Sequence, residues 1–543
     1  MKIEEIKTIK DIKGIFINIF PIFFKTKNKF GILSLCVYRI PKINKKIINK
    51  YLYINEEKHQ IKTLFNKGLK ILSFKNYSYY INIYKATIDP SIVINYKVQN
   101  LVTMFFECDK EKELIMPIVY NLPYYKKYLG KSGPLFKYKE NDLVCYFRQA
   151  NMNSLAITIR KKNITDKLSN RILLFMAWFL SIFLRKSKNV FIYEKENNRY
   201  EESGAAVYER LIDLGYKNVY FVLNKNSGYD FLIKDKYLKN IIWSHTFKHY
   251  LSFFRGNKFI GTEALSHMLE LRTKSACVLR KLSGNNFRYV FLQHGVMYMI
   301  SLDSPTRSSF RKGKNLPKDT KIVVSSKKEA DHFVDLGGFE NSDLYVTGLP
   351  LYDRMLMKKP DADKIVIMIT WRQWEYLELE VDYQNTSYYK MIENIFNSIP
   401  EKYKNKVQIL PHPLVLESFL KTDLKEYIPD ILIFDQILEN TDLLITDYSS
   451  LAYSAFYRGS NVIFCWEELE ECMARYQAHL MLNESNTFGD ISFNYSDIPG
   501  LIEKNYLKDQ TELHKKNYKE IVEFDDNKNT DRLIESLKKD KMI

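Results

Sequence analysis

The sequence predicts an α/β protein with two doubly wound, Rossmann-like domains behind a β-rich accessory domain. Three observations predict it. From about residue 188, short apolar runs alternate with helical periodicity, the rhythm of βαβ units. That rhythm restarts near residue 364, after Thr347-Gly-Leu-Pro350 and Lys359-Pro-Asp-Ala-Asp363. Residues 60–160 carry strand-like runs with no helical pattern between them. A length of 543 residues fits three domains at roughly 150 residues each, placed at 1–165, 166–346 and 347–543.

A basic leader opens the chain, with 12 Lys/Arg against 3 Asp/Glu in residues 1–50, and is read as helical. No signal peptide is expected, because the apolar stretch from Gly14 to Phe24 is interrupted by Pro21 and lacks a small-residue cleavage site. Strands are expected at Ser78–Tyr84, Ser91–Tyr96, Leu101–Phe106 and Leu155–Ile159, separated by charged or Pro/Asn breaks. Ile172–Leu184 (ILLFMAWFLSIFL) holds thirteen residues between Arg171 and Arg185-Lys186. A spanning helix needs about 20, so this segment is either a core helix or a monotopic insertion with its cations at the headgroups.

In the first α/β half, strands are expected at Asn189–Tyr193, Asn218–Leu223, Lys258–Gly261, Tyr289–Gln293 and Lys321–Ser325. Helices are expected at Ser203–Leu214 and before Gly337-Gly338. The second half reads as strands Lys364–Ile369, Val407–Leu410, Ile431–Phe434, Leu443–Ile445 and Asn461–Phe464, with a charged helical tail over 499–543. Ligands of such sheets sit at the carboxyl ends of the strands, and the polar motifs fall there.

The formal charge of +18 favours an anionic partner. No RNA-binding aromatic/glycine signature, zinc-finger spacing or helix-turn-helix pattern is present, so an anionic membrane surface or a phosphate-rich substrate is expected, and no nucleic acid. Six scattered cysteines form no CxxC pair, which fits a reducing compartment. Asp361-Ala-Asp363 precedes a strand instead of ending one and is read as a linker, with no metal or other cofactor expected.

Asp442-Leu-Leu-Ile-Thr-Asp-Tyr-Ser-Ser450 is the most informative stretch. It is a strand delivering Asp447, Ser449 and Ser450 to a helix start, where hydroxyls and N–H groups suit a diphosphate; the plainer reading is Ser N-capping. His294 follows a buried strand and precedes Gly295, which allows a sharp turn and a close approach. An imidazole there suits general-base work, the plainer reading being a structural histidine. His412 is stiffened between Pro411 and Pro413 and is placed to donate to a phosphate oxygen. Arg372, ending Thr370-Trp-Arg372, is placed to neutralise phosphate charge. Asp447 is expected to order its turn or orient a donor.

With these motifs in order, the chain resembles the CDP-glycerol glycerophosphotransferase family of teichoic-acid polymerases and primases. Gln293-His-Gly295, Thr347-Gly-Leu-Pro-Leu-Tyr-Asp353, Thr370-Trp-Arg372, Pro411-His-Pro413 and Thr446-Asp-Tyr-Ser-Ser450 carry the resemblance, over roughly 189–530. It implies a GT-B-like pair of domains at the cytoplasmic membrane face. It implies His294 as the base and His412, Ser449 and Ser450 as diphosphate-binding positions. Gln293 stands where the family has Trp, Val296-Met297 where it has Thr-Pro, and Leu351 where it has Arg, all near the acceptor side or the hinge.

The expected reaction moves glycerol phosphate from CDP-glycerol to a hydroxyl of a lipid-linked polyol-phosphate or glycan acceptor, releasing CMP. Catalytic roles fall to His294 and His412. Substrate contacts fall to Gly295, Arg372, Asp447, Ser449 and Ser450. CDP-ribitol as donor, a GT-B sugar-nucleotide glycosyltransferase, and a non-catalytic membrane-bound assembly component are the alternatives.

Overall fold

The protein is described by a computed structural model. It describes strands and turns within residues 16–161 and, apart from 163, 230, 232, 270–275, 285, 305–309, 314–315, 318, 373, 376–381, 413–414 and 431–432, all of residues 162–543. The chain forms two compact units, residues 1–168 with 274–280, and residues 169–273 with 281–543. The stretches expected as separate domains at 166–346 and 347–543 thus lie almost entirely within one unit.

Within the first unit, two sheets account for the described strands. Phe16–Lys25 and Phe30–Pro41 pair antiparallel along their length, and Phe30–Pro41 pairs onward with Tyr77–Ile88. The second sheet joins Ile47–Ile54, Gln99–Cys108, Leu155–Lys161 and Leu143–Gln149. The helical reading of the leader is therefore corrected: its residues 16–25 and 30–41 are strands. The run FINIFPIFFK is dominated by Phe and Ile, whose side chains suit a pleated surface better than a helix. Residues 1–15 and the expected strand Ser91–Tyr96 lie outside the described residues.

The second unit begins in helix α1 (Leu168–Phe183), along which only Asn170, Leu174 and Ala177 are buried. Phe175, Phe179, Ile182 and Phe183 are 51–70% exposed, so α1 is not a core helix. The first α/β sheet follows as β1 (Val190–Tyr193), β2 (Val219–Leu223), β3 (Ile241–Trp243), β4 (Lys258–Gly261), β5 (Arg288–Phe291), β6 (Thr320–Val324) and β7 (Leu344–Val346). Its order is β3-β2-β1-β4-β5-β6-β7, parallel throughout. The second holds β8 (Lys364–Met368), β9 (Val407–Ile409), β10 (Thr441–Thr446), β11 (Asn461–Cys465) and β12 (Asp490–Ser492), in the order β9-β8-β10-β11-β12, again parallel. Both orders reverse at one place, between β1 and β4 and between β8 and β10, the doubly wound topology with a crevice at each reversal. Two such sheets in tandem make the unit GT-B-like.

Buried parallel strands read as continuous apolar runs, which is why most were visible in the sequence. Ile431–Phe434 is an exception. Residues 431–432 lie outside the described residues, and Phe434 opens a helix, Phe434–Glu439, that turns Phe434 and Leu438 to one face.

Four further helices frame the halves: α2 (Ser203–Asp213), α3 (Lys327–Gly337), α4 (Leu451–Tyr457) and α5 (Asn529–Lys539). The last of these returns to the first half, where Arg210 on α2 meets Asp531 at 2.7 Å. Asp353, closing the Thr347–Asp353 motif, accepts the Asn529 and Thr530 N–H groups at 3.1 and 2.6 Å and caps α5. Gly348 has φ 77°, and a Cβ there would meet Asn529 Oδ1 at 2.0 Å, so this glycine is needed both for its left-handed backbone and for the docking of α5. The Tyr453 hydroxyl donates to Tyr298 O at 2.5 Å and the Ser304 hydroxyl to Tyr476 O at 2.6 Å, tying one half to the other.

Candidate active site

A cleft between the two halves encloses about 960 Å³, its open mouth included. Its wall carries Lys195, Arg199, Glu202, His294 and Gly295 from the first half and Met368, Phe434, Asp435, Ser449, Ser450 and Ser454 from the second. Four of the seven residues singled out in the sequence, His294, Gly295, Ser449 and Ser450, therefore share one cavity. At Gly295 the approach is close: a Cβ there would lie 3.3 Å from Ser450 Oγ.

His294 leaves the carboxyl end of β5 with its side chain 43% exposed. The left-handed residue of its turn is Gln293, with φ 60°, and not Gly295; Gly295 supplies space. A non-glycine residue in this region is costly and is held by its surroundings. Gln293 is fully buried, and its Nε2 donates to Val323 O at 2.6 Å. Beyond the turn, Met297 N donates to Glu329 Oε1 at 2.7 Å. Glu329, on α3, also accepts from Ser325 N and Oγ at 2.6 and 2.8 Å; its burial raises its pKa despite these donors.

Beneath His294 lie groups that no motif announced. Glu263 follows β4; its Oε1 is 3.7 Å from His294 Nδ1 and its Oε2 is 3.8 Å from His267 Nε2. Burial raises the Glu263 pKa, with Lys195 and Arg199 opposing the rise. Glu194, buried at the end of β1, accepts from Glu201 N, Glu202 N and Ala205 N and so caps α2; burial, then neighbouring Glu202, pushes its pKa up to about 8. Lys195 is exposed on the cleft wall, followed by two left-handed residues, Glu196 at φ 52° and Asn197 at φ 57°. The only signal for Glu263 and Lys195 was their place just past the ends of β4 and β1.

In the second half, the Thr446–Ser450 turn is built on Asp447. Its carboxylate accepts from Thr370 N and Oγ1 at 2.9 and 2.7 Å, from Tyr448 N at 2.6 Å, and from Arg372 Nη1 at 2.7 Å. Arg372 and Asp447 are both fully buried, and Arg372 also reaches Thr370 O and Glu468 Oε2. Arg372 does not line the cleft: its Nη groups are held inside the fold by Asp447, Thr370 O and Glu468, and Asp447 turns inward with it. Ser449 Oγ accepts from Leu451 N at 3.2 Å, whereas Ser450 makes no side-chain cap. Helix α4 spans only seven residues, so the two hydroxyls matter more at this wall than the helix dipole.

His412 does not line the cavity. It follows β9, donates its N–H to Tyr388 Oη at 3.1 Å, and its ring stacks on Trp371 at 5.3 Å and 17°. Burial, helped by Lys195, lowers its pKa to about 4, so the imidazole is neutral at neutral pH. Pro413 lies outside the described residues. Asp363 forms ion pairs with Lys364 and Lys406. Among the described residues, no group of three or more His, Cys, Asp and Glu is arranged to hold a metal ion.

Comparison with known proteins adds the family. The profile of the CDP-Glycerol:Poly(glycerophosphate) glycerophosphotransferase family matches residues 173–539. The minor teichoic acid biosynthesis protein GgaB of Bacillus subtilis (strain 168) is 24% identical over 370 residues, covering 63% of this chain and 38% of GgaB. The chain thus spans well under half the length of that relative. The solved structure of the wall teichoic acid polymerase TagF covers 69% of this chain and 95% of its own at 16% identity, with a TM-score of 0.48. An S. aureus MnaA–UDP co-structure covers 66% and 98% at 14% identity, with a TM-score of 0.38. The match over residues 173–539 takes in both α/β halves and the cleft between them, and the chain belongs to the CDP-glycerol:poly(glycerophosphate) glycerophosphotransferase family.

Proposed function

We propose that the chain transfers glycerol phosphate from CDP-glycerol to a hydroxyl of a membrane-linked acceptor in teichoic-acid or related surface-polymer synthesis. The observation that carries this reading is the meeting of His294-Gly295 with Ser449-Ser450 across one cleft. The His294 imidazole takes the proton of the acceptor hydroxyl. The acceptor oxygen bonds to the β-phosphorus, the bond from that phosphorus to the bridging oxygen breaks, and CMP leaves. Ser449 and Ser450 donate to diphosphate oxygens, and Lys195 adds positive potential on the opposite wall. Catalysis of this kind depends on positioning and electrostatics and needs no covalent enzyme intermediate. His412, neutral and stacked on Trp371 outside the cleft lining, is assigned to the nucleotide end of the donor, beyond the part that Ser449 and Ser450 hold.

CMP release from CDP-glycerol in the presence of membrane lipid acceptor tests the reading. Loss of a general base costs about 10²–10⁴-fold, so His294→Ala is expected to fall by that factor with donor affinity kept. Turnover within a few-fold of wild type in His294→Ala would remove His294 from this role. Activity with CDP-ribitol or a UDP-sugar in place of CDP-glycerol would move the donor, and silence with all three would favour a non-catalytic assembly component.

The acceptor's lipid anchor gives α1 a purpose. Among the described residues no helix is long and apolar enough to cross a membrane. On α1, Phe175, Phe179 and Phe183 form a continuous exposed aromatic row, with centroids 6.4 and 5.2 Å apart, and Arg185-Lys186 follow its end. Such a face lies in the headgroup region with its cations on anionic lipid, holding the cleft at the surface that carries the acceptor.

A further inference from the structure

We infer that Glu263 is the positioning residue for His294: it receives the Nδ1 side of the imidazole, so that the opposite ring nitrogen faces the acceptor hydroxyl. This rests on the reading of His294 as the base. The geometry is a carboxylate between two imidazoles, 3.7 Å from His294 Nδ1 and 3.8 Å from His267 Nε2. Its backbone is pinned by two buried hydroxyls. The hydroxyls of Tyr193 and Tyr289, both fully buried, lie within hydrogen-bond reach of Glu263 O and, at 3.1 Å, of each other, so their two protons are shared among these three contacts. Space for this arrangement comes from Gly261, where a Cβ would sit 2.4 Å from Tyr193 Cζ. The end of β4 is therefore shaped to hold one carboxylate beneath the exposed histidine.

At 3.7 Å from Nδ1 the carboxylate stands at ion-pair distance; an acid there orients the ring by charge and stabilises the imidazolium formed when the other nitrogen takes a proton. The proton stays on His294 and Glu263 remains a carboxylate through the step. Lys195 and Arg199 act on Glu263 by charge and favour that carboxylate form. Glu202 faces both Glu263 and His294. His267, whose pKa burial lowers to about 4, is neutral and adds no competing cation.

The sign of the expected pH effect follows from the charge. A carboxylate beside His294 favours the protonated ring, so removing that charge lets the base stay neutral to lower pH. Glu263→Gln is expected to lower the plateau of kcat/KM for CMP release on the order of 10²-fold and to move the acid limb of the profile to lower pH. Affinity for CDP-glycerol should stay within about two-fold, which also shows that the variant is folded. In a His294→Ala background, Glu263→Gln should cost nothing further, because a residue acting through His294 has nothing left to act on. An unchanged plateau and limb would overturn the inference. So would an equal loss of activity in the His294→Ala background, or a loss of donor affinity, either of which marks a purely structural role. Substantial activity in His294→Ala would overturn both the base reading and this one. Wild-type silence with CDP-glycerol but turnover of CDP-ribitol would displace only the donor, and the same limb measured with that donor still decides Glu263.

Discussion

Asp447→Asn is a sharp test of the second half, because the two readings of Arg372 predict different observables. The substitution keeps shape and removes one charge. The asparagine side chain can still accept from Thr370 N and Oγ1, but its amide would aim donors at a guanidinium that now meets a carboxylate at 2.7 Å. Both groups are fully buried, and the other carboxylate on Arg372 is Glu468 at 3.2 Å, 22% exposed. Breaking one partner of a buried pair costs about 3–5 kcal/mol, because the surviving charge keeps its desolvation penalty. At about 2.1 cal/mol/K per residue, the unit of residues 169–273 and 281–543 shifts ~1.3 °C per kcal/mol, so the melting temperature should drop by about 4–6 °C. Differential scanning calorimetry reads this directly, and CDP-glycerol affinity measured well below the transition should stay near wild type. Replacing the pair together, as Arg372→Met with Asp447→Leu, should recover much of the loss, since a buried ion pair gives little over well-packed apolar residues. A variant that melts with wild type but loses donor affinity about ten-fold or more would refute the argument and return Arg372 to the phosphate site.

Two further outcomes follow from burial and exposure. His249, His267 and His412 have folded pKa values of about 3, 4 and 4 against about 6.5 unfolded; between those values the unfolded chain binds protons that the folded chain refuses, so stability is full above about pH 6.5 and falls as pH drops toward about 4. His249→Phe should flatten that fall in a urea-melt series from about pH 7 to about 4.5, and an unchanged slope would exclude His249 as a contributor. Phe175→Asp with Phe179→Asp should cut binding to phosphatidylglycerol vesicles at least ~100-fold, since each buried Phe contributes about 1.5–3 kcal/mol; flotation unchanged by the pair would remove α1 from the membrane reading.

What was legible in the sequence was what burial on both faces writes into it. β1, β4, β10 and β11 are runs whose residues are nearly all buried, so they stood out as apolar blocks with polar residues at their ends. The leader failed for the same physical reason. Phe16–Lys25 is an apolar run too short and too dense for periodicity to separate helix from strand, and its Ile and Phe content was the signal that separates them. Ile431–Phe434 failed in the opposite sense, with Phe434 belonging to the helix that follows. At the site, His294 and Ser450 were legible because strand-end position alone carries them to the cleft. Arg372 occupied an equally suggestive strand end, but its direction was set by Asp447, 75 residues further on. Glu263 and Lys195 were hidden because a single charged residue after a strand carries no pattern.

The departures from the family's motifs divide along the same line between wall and support. Gln293 is fully buried, with its amide on Val323 O, and Met297 is tied by its N–H to Glu329. Both contacts hold the turn that carries His294, so these two departures fall on the support of the histidine and not on the cleft wall. Leu351 is different. It lines the cleft, and its N–H donates to Ser203 Oγ at 3.2 Å. The cations nearest it in sequence and on the wall, Arg354 and Arg199, are engaged by Glu209 at 3.3 Å and Glu201 at 2.9 Å. An apolar side chain at this position, among neutralised guanidiniums, lowers the positive potential on the first half's side of the cleft relative to an arginine. Lys195, exposed on the wall facing Ser449 and Ser450, therefore carries a larger share of the positive potential there than it would beside an arginine at position 351.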